Sequence, residues 1–191
     1  MKKVVLAYSG GLDTSFCVKY LSEEKQFDVY AALVDTGGFS PAEIEHVKSR
    51  AQALGVKEFV VLDVVKAYYE QCLRYLVYGN VLKNHAYPLS VSAERVFQAT
   101  AIAEYAKEIG AEAIAHGSTG AGNDQVRFDL VFDVLTPEVE VITPIRDLQL
   151  SREAEIDYLR ERGVEMDFSK STYSINQGLW GTSVGGRETL N

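Results

Sequence analysis

Two rhythms of hydrophobic and polar positions alternate along this chain. Short, largely apolar runs fall at residues 4–8, 27–34, 57–62, 113–116 and 139–142, the pattern of strands buried on both faces. Between them, apolar residues recur at helical spacing over 14–25, from Ser40 to 54, from Asp63 to about 78, over 93–109, after Asn123, and from Ser151 to about 162. Ser40-Pro41-Ala42-Glu43 has the form of a capping box with proline in the first turn, and Asp63 and Asn123 are placed to cap the helices that follow them. Gly55, Gly110 and Gly163 are the expected helix stops. The 93–109 helix is expected to turn Val96, Phe97, Ile102, Ala103, Ala106 and Ile109 inward. Between 79 and 92 the periodicity fails, and Asn84-His85-Ala86-Tyr87-Pro88 reads as turn material.

Strand and helix in alternation predict an α/β fold, an open and mostly parallel sheet with helices on both faces. Ligands of such sheets gather beyond the carboxyl ends of the strands, where the strand order reverses. Two glycine-rich turns, one after Tyr8 and one after His116, are expected to open onto that edge. Past Gly163 the sequence turns polar. We therefore expect one domain over 1–165 and, over 166–191, a segment with too little apolar content for a core of its own.

Composition narrows the partners. The 191 residues are 47% hydrophobic and 24% charged, ordinary for one globular core. A net charge of −8 argues against non-specific nucleic-acid binding, which needs a basic footprint. No apolar stretch is long enough to span a bilayer, and Met1-Lys2-Lys3 runs into a strand instead of a signal sequence, so the expectation is a cytoplasmic protein without membrane contact. Cys17 and Cys72 lack metal-ligand spacing and are expected to be reduced thiols in the core, and no residue is assigned as a metal ligand.

The first turn, Ser9-Gly10-Gly11, joins a strand to a helix start. Its two glycines permit positive φ and close approach of a ligand, while Ser9, Thr14 and Ser15 add hydroxyls beside the unpaired N–H groups of the helix. This is a cradle for phosphate oxygens, yet it lacks the lysine of a Walker loop and the spacing of a dinucleotide fingerprint. The second turn, within His116-Gly-Ser-Thr-Gly-Ala-Gly-Asn-Asp-Gln-Val-Arg-Phe, sets neutral donors beside Asp124 and Arg127, which share a helical face. A carboxylate next to a guanidinium suits a zwitterionic amino acid.

Ser-Gly-Gly-Leu-Asp-Thr resembles the signature of the PP-loop ATP pyrophosphatases, and its longer form, together with the His116 to Phe128 run, is similar to argininosuccinate synthase. Further matches to that family fall at Tyr87 with Ser92 and Arg95, at Thr143-Pro144-x-Arg146, and at Tyr173-Ser174-Ile175 with Leu179-Trp180 and Ser183. The resemblance implies ATP held by Ala7, Tyr8, Ser9, Gly10, Gly11, Leu12, Asp13, Thr14 and Ser15, with Gly117 against the nucleotide and Val34 beside adenine. It implies aspartate held by Thr119, Asn123 and Asp124, and citrulline held by Tyr87, Ser92, Asn123, Arg127, Ser174 and Ser183.

It also implies a mechanism. The citrulline ureido oxygen attacks the ATP α-phosphorus with Mg²⁺ assisting, and the aspartate amine then displaces AMP. Asp13, near the metal, and Asp124, near the incoming amine, are the catalytic candidates. The family's members are longer than this chain and homo-oligomeric when intact, so ATP binding with weak turnover is the expectation for these residues. Other PP-loop ligases, of the amidotransferase synthetase or transfer RNA thiolase type, would call for a glutaminase module, or catalytic cysteines and a basic face. A nucleotide-binding module without chemistry would have no use for the Asn123 to Arg127 constellation.

Overall fold

The computed structural model describes residues 1–120, 122–165 and 174–185. Its centre is β1 (Lys3–Ala7), whose Val4, Val5 and Leu6 are wholly buried. Leu12–Lys19 follows as α1, extended by one π-helical turn over Tyr20–Glu24, and leads to β2 (Asp28–Asp35). Next come α2 (Pro41–Leu54) and β3 (Glu58–Asp63). α2 begins as its sequence requires, with Ser40 accepting from the Glu43 amide while Glu43 accepts from the Ser40 amide.

The third helical stretch is broken into α3 (Val65–Tyr68), a π-helical turn over Tyr69–Leu73, and α4 (Arg74–Tyr78). Asp63 accepts a hydrogen bond from the Val65 amide at its start. A small hairpin of β4 (Leu82–Lys83) and β5 (Tyr87–Pro88) fills the stretch without periodicity. α5 (Ser90–Ile109) and β6 (Ala113–His116) follow. The order then continues with α6 (Asp124–Leu135), β7 (Glu140–Ile142), α7 (Pro144–Asp147) and α8 (Arg152–Glu161). The antiparallel pair β8 (Ser174–Gly178) and β9 (Gly181–Gly185) closes the described chain.

β3, β2, β1, β6 and β7 form one parallel five-stranded sheet in that order. The strand order reverses between β1 and β6. Alternation along the strands sends side chains to both faces. Val4 and Leu6, with Leu33 and Ala115, pack against Phe16, Cys17 and Val47 of α1 and α2. Val5, Val34 and Ile114 pack against Ile102 of α5 and Phe128 and Phe132 of α6. The expected α/β fold with both faces covered is present.

Three local expectations are corrected. Val96 is 42% exposed, because the buried stripe of α5 runs through Glu94, Ala99, Ile102 and Ala106 and leaves Val96 on the flank that also carries exposed Lys107. The side chain of Asn123 makes no capping bond, since its backbone (φ −82, ψ −8) is already helical and not extended as that reach demands. Of the two free thiols, Cys17 is buried in the core, whereas Cys72 is half-buried.

Candidate functional site

The register that pairs Ala7 with His116 brings the two glycine turns side by side at the carboxyl ends of adjacent strands. They line one cavity of about 1360 Å³, whose wall includes Ala7, Tyr8, Ser9, Gly11, Leu12, Asp13, Thr14, Val34, Gly117, Thr119 and Asp124. This is the reversal point where open sheets place their ligands.

The first turn is built around Gly10, whose φ of +77 is costly for any residue with a Cβ. Val47 packs against it from α2, and Arg50 of the same helix donates to its carbonyl. The Gly11 amide points toward Ser9 Oγ at 3.4 Å, and Ser9 Oγ lies 3.4 Å from Thr14 Oγ1. Ser15 is different. Its hydroxyl donates back to the Gly11 carbonyl at 2.7 Å and is wholly buried, so it braces the turn from beneath and does not face the cavity.

Asp13 does face the cavity, and behind it stands Glu155 of α8, 2% exposed. Glu155 Oε2 is buried with no hydrogen-bond partner among the described residues, and the charge of Asp13 acts on it. Burial, and next the charge of Asp13, push the Glu155 carboxyl up to about 8. Glu155 thus carries a proton near neutral pH. The sequence held a signal for this: Glu155 lies on the same helical stripe as buried Leu159, where an apolar residue is expected.

The second turn rests on a polar chain that motif reading gave no role. His116, 1% exposed, contacts Asp129 Oδ1 through Nε2 at 3.0 Å, while its Nδ1 accepts from the Ser118 amide at 3.3 Å. That pair of bonds fixes the proton on Nε2. Burial holds the imidazole pKa below its ordinary value, so the ring is neutral. Arg146 closes the chain by donating to Asp129 Oδ2 at 2.6 Å. Burial would raise the Asp129 carboxyl, but hydrogen bonds from Arg146 and then His116 outweigh it and hold the pKa low.

On the far wall, Asp124 sits between two guanidiniums. Arg95 donates to its Oδ2 and Arg127 to its Oδ1, each at 3.0 Å. Arg127 also donates to Ser92 Oγ at 2.9 Å, so Ser92, Asp124 and Arg127, three residues singled out from the sequence, form one network. Arg95 reaches further, donating to Asn176 of β8, which stands opposite Ser183 of β9. Next to Arg95 lies Glu94, buried and accepting from Thr36 Oγ1 at 3.0 Å. Its carboxyl is raised chiefly by burial.

Other expected residues are placed elsewhere. Asn123 is exposed at the start of α6, and Tyr87 is 46% exposed on the β4–β5 hairpin, outside the cavity wall. Ser174 opens β8, but its side chain and all of Tyr173 lie outside the described residues.

The arginosuccinate synthase N-terminal HUP domain, as a sequence family, matches residues 3–165. The chain belongs to this family. An argininosuccinate synthase of Methanocaldococcus jannaschii is 40% identical over 187 residues, which are 98% of this chain and 47% of that protein. One of Dictyoglomus thermophilum is 41% identical over 186 residues, 97% of this chain and 46% of the relative. One of Lactococcus lactis subsp. cremoris reaches 43% over 184 residues, 96% and 46% respectively. The chain thus spans about half the length of the curated argininosuccinate synthases it matches.

Proposed function

We propose that this chain is the ATP-binding half of a carbon–nitrogen ligase that condenses citrulline with aspartate to argininosuccinate, releasing AMP and pyrophosphate through a citrullyl-adenylate. The observation that carries the reading is the single cavity whose wall joins the first glycine turn, the second glycine turn and Asp124 with Arg95, Asp124 being held from behind by Arg127 and, through it, Ser92. A phosphate cradle alone suits any nucleotide binder. A carboxylate flanked by guanidiniums on the same wall offers opposite partners to the two ends of an amino acid.

In this reading the amides and hydroxyls from Ser9 to Thr14 hold the ATP phosphates, Gly117 lies along the nucleotide, and Val34 bounds the adenine. Thr119, Asn123 and Asp124 orient aspartate. Ser92, Arg127 and Asn123, joined by Tyr87, Ser174 and Ser183, orient citrulline. Neutral His116, its Nε2 proton committed to Asp129, is a brace for Gly117 and not a base. Catalysis rests on alignment and charge stabilisation, without a covalently modified side chain. Asp13, on the cavity wall beside the phosphate cradle, would be the residue to hold Mg²⁺ accompanying ATP, and the ion would supply neutralisation of phosphate charge there.

The same reading divides the chain into an ATP-binding domain over 1–165 and the start of a substrate domain over 166–191. It places the enzyme in the cytoplasm as a homo-oligomer. Among the described residues no helix is long and apolar enough to cross a membrane.

Calorimetric titration with Mg·ATP, citrulline and aspartate, singly and in combination, tests the proposal. ATP is expected to bind alone, and Asp124→Asn is expected to abolish aspartate binding while leaving that of ATP. Failure of the wild-type chain to take up ATP would overturn the assignment.

A further inference from the structure

The first glycine turn offers a polyphosphate only neutral donors, since no lysine follows its glycines. The structure brings cations to it from elsewhere. Five lysine and arginine side chains line the cavity: Lys19, Arg50, Arg95, Arg152 and Arg162. Four of them are already engaged. Lys19 pairs with Glu23 at 3.1 Å, Arg95 with Asp124 at 3.0 Å, and Arg162 with Glu23 and Glu24 at 2.8 and 2.9 Å. Arg50 donates to the Gly10 carbonyl and contacts His46 at 3.0 Å.

Arg152 is the exception. Among the described residues it makes no hydrogen bond or ion pair, although its charge acts on both Asp13 and Glu155. It is the first residue of α8, which packs against α1, and it shares the cavity wall with Asp13 and Thr14 of the first turn of α1. A cation at that end of a helix stands in the positive field of the aligned peptide dipoles, where acidic residues are favoured. Helix stability therefore gives no reason for an arginine there. The acidic pair of Asp13 and Glu155 gives one, and an anion entering the cavity gives another, since the exposed guanidinium fork keeps all its hydrogen-bond donors available and would act on it together with the positive end of α8.

We propose that Arg152 binds the terminal phosphates of the nucleoside triphosphate, and hence the pyrophosphate when it leaves, supplying from α8 the charge that the glycine turn lacks. This rests on the ATP-binding reading above and adds to it a residue and a role. The ligand class is a polyphosphate, recognised separately from the nucleoside end held near Val34 and Gly117.

The test is calorimetry with ATP, pyrophosphate and AMP, each with Mg²⁺, on the wild-type chain and on Arg152→Ala, Arg152→Lys and Lys48→Ala. Lys48 lies on α2 outside the cavity wall and controls for the loss of one positive charge. Arg152→Ala is expected to weaken ATP and pyrophosphate by about 10- to 100-fold, the range for a lost hydrogen bond to a charged group, while AMP binding is unchanged. Lysine is expected to restore part of the loss, as a point charge without the fork. If Arg152→Ala binds ATP and pyrophosphate as tightly as the wild type, or no more weakly than Lys48→Ala, the role is refuted while the ATP reading stands. If the wild-type chain binds no ATP, both fall together.

Discussion

Gly117 is packed directly on Asp13: a Cβ built on Gly117 would stand 3.3 Å from both the carbonyl carbon and the Cβ of Asp13. The second glycine turn therefore rests on the first turn of α1, and the two loops of the site support one another. Gly117→Ala has to push that backbone aside. We expect a loss of about 1–3 kcal/mol, the usual range for overpacking, read from the midpoint of urea unfolding, together with weaker ATP binding. An alanine variant with unchanged midpoint and ATP affinity would show that the turns are mechanically independent.

The buried carboxyl of Glu155 makes stability depend on pH. Its folded pKa, raised to about 8, lies far above that of an exposed glutamate, so the folded state binds the extra proton. The contribution is complete at low pH and is lost as pH rises toward about 8. Asp13 and Cys17 of α1 and Arg152 of α8 face this group, and of these only the Arg152 charge favours ionisation. Melting temperatures measured across that window should fall with pH in the wild type. Glu155→Gln, which keeps the donor but cannot ionise, should flatten the fall. An identical slope in both proteins would move the proton to another site.

Gly38 sits beneath the terminal hairpin. A side chain on it would overlap the carbonyl oxygen of Gln177 and stand 2.6 Å from its carbonyl carbon, while the Leu179 amide donates to the Thr36 carbonyl at 2.8 Å alongside. Gly38→Ala is expected to lift β8 and β9 from the end of β2 without disturbing the sheet. Amide exchange at Leu179 should accelerate, with protection of Val4 to Leu6 preserved. Retained protection at Leu179 would show that the hairpin accommodates the methyl group.

The sheet was legible in the sequence because parallel strands buried on both faces must be continuously apolar, and residues 4–8 and 113–116 could be little else. The start of α2 was legible because a capping box is a local device. Both glycine turns were found for the same reason, since turn chemistry is written in adjacent residues. What escaped was the polar support that arrives from distant segments. Thr36 to Glu94, His116 to Asp129 and Asp13 to Glu155 join groups whose partnership depends on how helices pack. Only their misplacement on apolar stripes hints at them. Asn123 failed as a cap because backbone angles, not residue type, decide whether a side chain can turn back to the helix.

Ala7 and His116 are neighbours on one ladder, so the opening between the two loops is set by a single interstrand spacing, about 4.8 Å in any sheet. The sheet thus acts as a fixed calliper. Its gauge belongs to the hydrogen bonds of the core, beyond the reach of surface substitutions, and retuning the site for a different guest would fall to the side chains mounted on the jaws.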